Sequence, residues 1–292
     1  MKRMRYGFTV VAALLAAAAS LCAQEVKRGA VKFDGAGLFQ DDFRTGSLER
    51  WGLSEDGRYH LNEPTPERLA IVQAPGLPEG AKAVRFVVPR AVGSFRSEIS
   101  LRSEKGYQER WYSQRLLVPE GWVPEFSSRG NDIVMQWHGI PGNWKPTFPN
   151  LEISIGRDKW FVRQSFGSAR TPTRTNKELP IQVEIGKWSS WVVHAKWSPK
   201  DDGLIQIWKD GMMIFESKGP NVYGDIGAEY TPYIKTGIYH PEWNTNTDEK
   251  RKKFEEEKPQ SLLKTIYVTA FRMGDGRQSF EEMNPKEPAG GK

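Results

Sequence analysis

Residues 188–215 read Trp188-Ser189-Ser190-Trp191-Val192-Val193-His194-Ala195-Lys196-Trp197, then Ser198-Pro199-Lys200-Asp201-Asp202-Gly203, then Leu204-Ile205-Gln206-Ile207-Trp208-Lys209-Asp210-Gly211-Met212-Met213-Ile214-Phe215. The first block is rich in β-branched and aromatic side chains, which favour strands. The last block holds two short apolar runs divided by Asp210-Gly211, a tight hairpin signal. Asp201-Asp202-Gly203 supplies a second turn. Working outward, the same grammar recurs. Short apolar or alternating runs cover 68–73, 83–88, 96–101, 108–117, 133–138, 151–155, 160–166, 234–239 and 265–272, separated by Gly, Pro, Asn and Asp. Helix-period segments are almost absent. This spacing predicts an all-β chain, a two-sheet sandwich or β-jelly roll. Residues 244–259 break the pattern: the run Asp248-Glu249-Lys250-Arg251-Lys252-Lys253 predicts a solvated loop or short surface helix.

The chain has 292 residues, 38% hydrophobic and 27% charged, as a globular protein requires. Lys2, Arg3 and Arg5, the apolar run from Phe8 to Ala19, and Leu21-Cys22-Ala23 read as a secretory signal peptide cleaved after Ala23. Residues 24–285 are then expected to form one β domain, and 286–292 a flexible tail. Cleavage removes Cys22, the one cysteine, so the mature chain has no disulfide or thiol chemistry. It also removes three positive charges, taking the net charge from +6 to +3. Export to the periplasm or the extracellular space follows, with no membrane span left after cleavage. A mildly basic surface suits an anionic polymer. Nucleic acid is excluded as a partner, because no basic cluster carries a nucleic-acid motif. The 11 tryptophans divide between two expected uses, filling a β core and stacking on sugar rings.

Three strands carry the candidate chemistry. Side chains two residues apart share a face, roughly 7 Å apart. On Phe95-Arg96-Ser97-Glu98-Ile99, the pair Arg96 and Glu98 leaves the core face. It is either an exposed ion pair or a carboxylate orienting a guanidinium toward an anion. On Ile133-Val134-Met135-Gln136-Trp137-His138, the residues Ile133, Met135 and Trp137 face inward while Gln136 and His138 project together outward. Imidazole titrates near neutrality and can accept a proton. On Tyr233-Ile234-Lys235-Thr236-Gly237-Ile238-Tyr239-His240, the face of Tyr233, Lys235 and Tyr239 includes Gly237, read as an open spot for a ligand. One face can thus gather Arg96, Glu98, Gln136, His138, Lys235 and Tyr239. No metal-ligand cluster, nucleophile elbow or glycine-rich phosphate loop accompanies them.

Arg96-Ser97-Glu98, Gln136-Trp137-His138 and the Tyr233-to-Tyr239 strand stand in the order of three motifs of β-jelly-roll polysaccharide lyases. The resemblance spans roughly residues 41–285. Gln-Trp-His, the 191–197 strand with His194 and the following Asp-Gly hairpin resemble the heparin lyase I and glucuronan lyase group. Alginate lyases are more distantly similar, since Ile99-Ser100 and His240 depart from their pattern. The resemblance implies a concanavalin-like sandwich and β-elimination in a uronate polysaccharide that is glucuronan- or heparin/heparan-like. Gln136 and Arg96 would stabilise charge on the uronate carboxyl group. Tyr239 is the better general acid, and either His138 or Tyr239 is the base. Lys235 would lower the Tyr239 pKa, and Glu98, Tyr233 and Trp144 would help bind substrate.

Trp111, Trp144, Trp160 and Trp243 are candidate sugar platforms. His194 is assigned a structural or surface role. Asp41 and Asp42 read as a turn; a structural calcium there stays unassigned, because the other oxygen ligands cannot be assembled from sequence. No cofactor is required, and a monomer is expected. Two alternatives remain. A glycoside hydrolase on the same sandwich needs a carboxylate pair, whereas Glu152 reads as isolated and solvent-facing. A non-catalytic carbohydrate-binding protein would use the same groove without proton transfer.

Overall fold

Asp210 and Gly211 have φ of 50° and 83°, the two positive values that a type I′ hairpin demands. They join two strands of a sandwich in a computed structural model describing residues 33–51, 65–101, 103–124, 132–139, 147–226 and 229–285. The segments expected to be a signal peptide (1–23) and a tail (286–292), and Trp144, lie outside the described residues. In chain order the strands are β1 (Leu38–Asp41), β2 (Leu69–Gln73), β3 (Lys82–Pro89), β4 (Arg96–Ser100), β5 (Glu104–Lys105), β6 (Glu109–Leu117), β7 (Asp132–His138) and β8 (Leu151–Gly156). They continue as β9 (Lys159–Gly167), β10 (Pro172–Gln182), β11 (Trp188–Lys196), β12 (Leu204–Lys209), β13 (Met212–Lys218), β14 (Tyr230–Thr231), β15 (Tyr233–Tyr239) and β16 (Leu263–Asp275). Helices are α1 (Asp248–Glu256) and α2 (Phe280–Met283). Among the described residues no helix is long and apolar enough to cross a membrane.

One sheet runs β13-β12-β11-β6-β16-β3-β2, with β1 also on β16. The facing sheet runs β10-β9-β8-β7-β15-β4, and its pairs are antiparallel. The inner faces meet over Trp137, Trp160, Trp191, Trp197, Phe86, Leu116 and Leu151, all fully buried. Trp160 packs on Trp191 at 4.6 Å, and Tyr112 meets Trp137 edge-on at 5.3 Å. Nine of the ten described tryptophans are buried. Sheets packed about 10 Å apart need large side chains between them, so the indoles fill the interior far more than they line a groove.

Two departures from the sequence reading matter. β10 was not expected, because it is an edge strand with both faces mostly exposed and shows no apolar alternation. A bulge also interrupts β7. Ile133 pairs with Ser154 and Met135 with Ile153, which makes Val134 the extra residue. Val134 therefore joins the core. Ile133 turns to the other face, opposite Tyr239, rather than sharing a face with Met135 and Trp137. In the charged 244–259 stretch, Thr247 caps α1 by accepting from the Lys250 amide, and only Phe254 on that helix is buried.

Candidate active site

The register of β4, β15, β7, β8 and β9 sets the site row by row. Ser100, Lys235, Gln136, Glu152 and Arg163 stand side by side across the outward face. One step along β15, Tyr233 lies opposite His138. On the other side, Gly237 lies opposite Glu98, and Tyr239 lies between Arg96 and Ile133. Arg96, Glu98, Gln136, His138, Tyr233, Lys235 and Tyr239 thus share one surface.

Their contacts are specific. Arg96 Nη1 lies 3.4 Å from Glu98 Oε2, with side chains only 10% and 7% exposed. This is not the exposed pair that the strand alone allowed. Gln136 Nε2 donates to Glu98 Oε1, so one carboxylate holds a guanidinium and an amide. An amide nitrogen carries two hydrogens, and this bond uses one. The Arg96 guanidinium lies over the Tyr239 ring at 4.4 Å. Lys235 Nζ lies over the Tyr233 ring at 5.3 Å.

His138 Nδ1 is 2.7 Å from the Gly139 carbonyl oxygen. A carbonyl only accepts, so Nδ1 carries the hydrogen and the neutral ring keeps its lone pair on Nε2. Burial pushes the Tyr239 phenol above its usual pKa, while Arg96 and the Asn244 side chain pull it back and Glu98 and Glu152 push it up. The net direction is upward, so the phenol stays protonated. The net shift thus runs opposite to the lowering expected from Lys235: the cation over the Tyr239 ring is Arg96, and Lys235 lies over Tyr233.

Behind Tyr239 lies a second polar cluster. His240 Nδ1 donates to Asp132 Oδ1 at 2.6 Å. Lys264 Nζ on β16 of the opposite sheet lies 3.2 Å from Asp132 Oδ2 and donates to the Val123 carbonyl at 2.7 Å. All three side chains are at most 1% exposed.

The polysaccharide lyase family model matches residues 43–254. The chain belongs to that family. No curated protein matches the sequence significantly. Among solved structures, an endo-β-1,4-glucuronan lyase from the fungus Trichoderma reesei is 18% identical, with 86% of this chain and 99% of that one covered at a TM-score of 0.65. The alginate lyase Aly36B is 12% identical, with 83% and 98% covered at a TM-score of 0.51. At such identities these two show a common fold. Membership of the lyase family sets aside the hydrolase and the non-catalytic binding protein.

The lyase places other expected residues elsewhere. Trp160 and Trp243 are buried, and Trp111 is stacked under His194 at 4.0 Å and beside Trp208 at 5.7 Å, so none of the three is an open platform. His194 belongs to the opposite sheet, with Nε2 2.8 Å from Glu109 and Nδ1 3.0 Å from Gln206. Asp41 accepts from the Phe43 amide and from Trp51 Nε1, and Asp42 pairs with Arg44 at 3.3 Å. Among the described residues no group of three or more His, Cys, Asp or Glu side chains could hold a metal ion. Gly237 is not an open spot. Its φ is +139°, and a Cβ there would come within 2.2 Å of the Ser97 carbonyl oxygen, so close approach of β4 demands glycine.

Sequence reasoning misjudged Glu152. It is 3% exposed rather than solvent-facing. Arg163 Nη1 lies 3.5 Å away. Burial pushes its carboxyl up, against the pull of Arg163 and Arg174. The alternation Leu151, Ile153, Ile155 carried the signal, since it puts Glu152 on the Gln136 face.

Proposed function

We propose that this polysaccharide lyase is exported and cleaves a uronate-containing polymer, glucuronan- or heparin/heparan-like, by β-elimination. The register that brings Gln136, His138, Arg96 and Tyr239 to one face carries the reading. A proton beside a carboxylate is weakly acidic, because its loss piles a second negative charge onto the carboxyl group. The remaining Gln136 N–H and the Arg96 cation, held by Glu98, stabilise that charge as it develops. His138 Nε2 removes the C5 proton. The C4–O bond breaks, and Tyr239 gives its phenolic proton to the departing oxygen, leaving a C4=C5 double bond on the new end. A phenol held protonated suits that donor role, and a ring with its lone pair on Nε2 suits the acceptor role. Tyr233 and Lys235 line the sugar path beside His138, and side chains alone carry every step.

The test is to incubate residues 24–292 with glucuronan, heparin, heparan sulfate and alginate and follow the ultraviolet absorbance of the unsaturated uronate. A rise on glucuronan, heparin or heparan sulfate is expected. No rise on those three from folded protein overturns the substrate assignment, and a rise on alginate alone redirects it.

A further inference from the structure

Two guanidinium groups stand on the outward face that carries Gln136, on strands that the proposed elimination does not use. Arg163 on β9 continues the row of Gln136 and Glu152. Arg174 on β10 pairs with Ser165 of β9, on the same face as Arg163. At strand spacings of about 4.8 Å, Arg163 stands roughly 10 Å from Gln136, and Arg174 lies on the next strand outward. Neither shares the carboxyl group seated at Gln136 and Arg96.

Both are held in place. Arg163 Nη1 lies 3.5 Å from Glu152 Oε2, and its Nε donates to Asn176 Oδ1 at 3.3 Å. The Arg174 guanidinium lies 3.6 Å from the centroid of the Phe148 ring, which is 45% exposed. Stacking fixes the plane of a guanidinium and leaves its edge for bidentate contact with an oxyanion. Both arginines act on a buried carboxylate, Glu152, whose ionisation burial opposes. On this face two permanent cations thus flank the Glu152 carboxylate, with the exposed Glu178 farther along β10.

We propose that Arg163 and Arg174 form a second anion subsite, which binds the carboxylate or sulfate ester of a sugar beyond the one being cleaved and seats the polymer. The proposal rests on the lyase reading for its substrate class. Arg174→Gln is the telling variant, because it alters an exposed edge-strand residue and leaves Glu152 its partner Arg163. The quantity to measure is kcat/KM on long polymer divided by kcat/KM on the shortest oligosaccharide cleaved. That ratio should fall about tenfold, through KM, as for loss of a charged hydrogen bond. A fall on glucuronan, which carries carboxylates alone, identifies the carboxylate; a fall confined to heparin identifies sulfate. An unchanged ratio, or equal losses on polymer and oligosaccharide, overturns the subsite.

Retardation of wild type and variant in native gels cast with each polymer gives a readout without turnover. Wild type retarded more than the variant supports the subsite even where nothing is cleaved, and that combination would sink the substrate assignment alone. Equal retardation of the two proteins, each relative to a gel without polymer, overturns the subsite.

Discussion

Replacing Asp132 with Asn should unfold the protein far more readily than its single lost charge suggests. Asp132 is 1% exposed, and its two oxygens face His240 Nδ1 at 2.6 Å and Lys264 Nζ at 3.2 Å. Asn keeps the shape but removes the charge. The Lys264 side chain, 0% exposed, then retains the Val123 carbonyl and the Trp122 ring at 4.7 Å. Removing one charge of a buried pair costs about 3–5 kcal/mol. At about 2–4 °C per kcal/mol for a large domain, the melting temperature should drop by roughly 6–20 °C. Calorimetry or circular dichroism melts of Asp132→Asn, Lys264→Met and the double variant decide it. Methionine fills much of the lysine volume without charge, so the double variant should recover most of the loss and the two changes should be far from additive. An Asp132→Asn melt indistinguishable from wild type refutes the reasoning, as does a double variant that sums the single losses.

Three further outcomes are expected. His138→Ala and Tyr239→Phe should each lower kcat for unsaturated product about a hundred- to ten-thousand-fold with melting temperatures near wild type; retained kcat in either would remove that residue from the proton transfers. Gly237→Ala should be insoluble or melt well below wild type, since its Cβ would meet the Ser97 oxygen at 2.2 Å and the Glu98 Cα at 2.6 Å, and a variant of wild-type stability would mean that β4 moves aside cheaply. Glu152 has its pKa raised in the fold, so its ionisation weakens the folded state as pH rises through and above the ordinary carboxylate range. Urea denaturation should show Glu152→Gln gaining on wild type from acid to neutral pH, and a gap that widens toward acid would reverse the assigned direction.

Much of the sandwich was legible because its strands bury one face. On β8, Leu151, Ile153 and Ile155 announce period two, and β12 and β13 flank an Asp-Gly turn that fits only one hairpin geometry. β10 escaped notice because an edge strand wet on both faces has no apolar alternation to read. The site residues were legible as pairs on single strands, yet which pairs meet was not. That Gln136 touches Glu98 follows from β7 and β4 both flanking β15, a fact of sheet order that no local spacing encodes. Glu152 was misread for the same reason: solvent is what an isolated strand shows its second face, whereas here that face meets Arg163.

The bulge at Val134 joins the two halves of the site. Without it, Ile133 would point into the core with Met135, and Asp132 would point outward with Gln136. With it, Ile133 lies opposite Tyr239 on the groove face, while Asp132 turns inward to His240 and Lys264. One extra residue re-aims both neighbours. His240 follows Tyr239 directly, and its amide donates to the Phe95 carbonyl at 2.8 Å, while Arg96 next to Phe95 covers the Tyr239 ring. The end of β15 that carries the phenol is therefore pinned from behind by an ion pair reaching across to β16, and from the side by β4. A proton donor must hold its oxygen within tenths of an ångström of the leaving group to be effective. For Tyr239 as the proposed proton donor, the buried cluster would supply that rigidity where the β7–β15 ladder is interrupted.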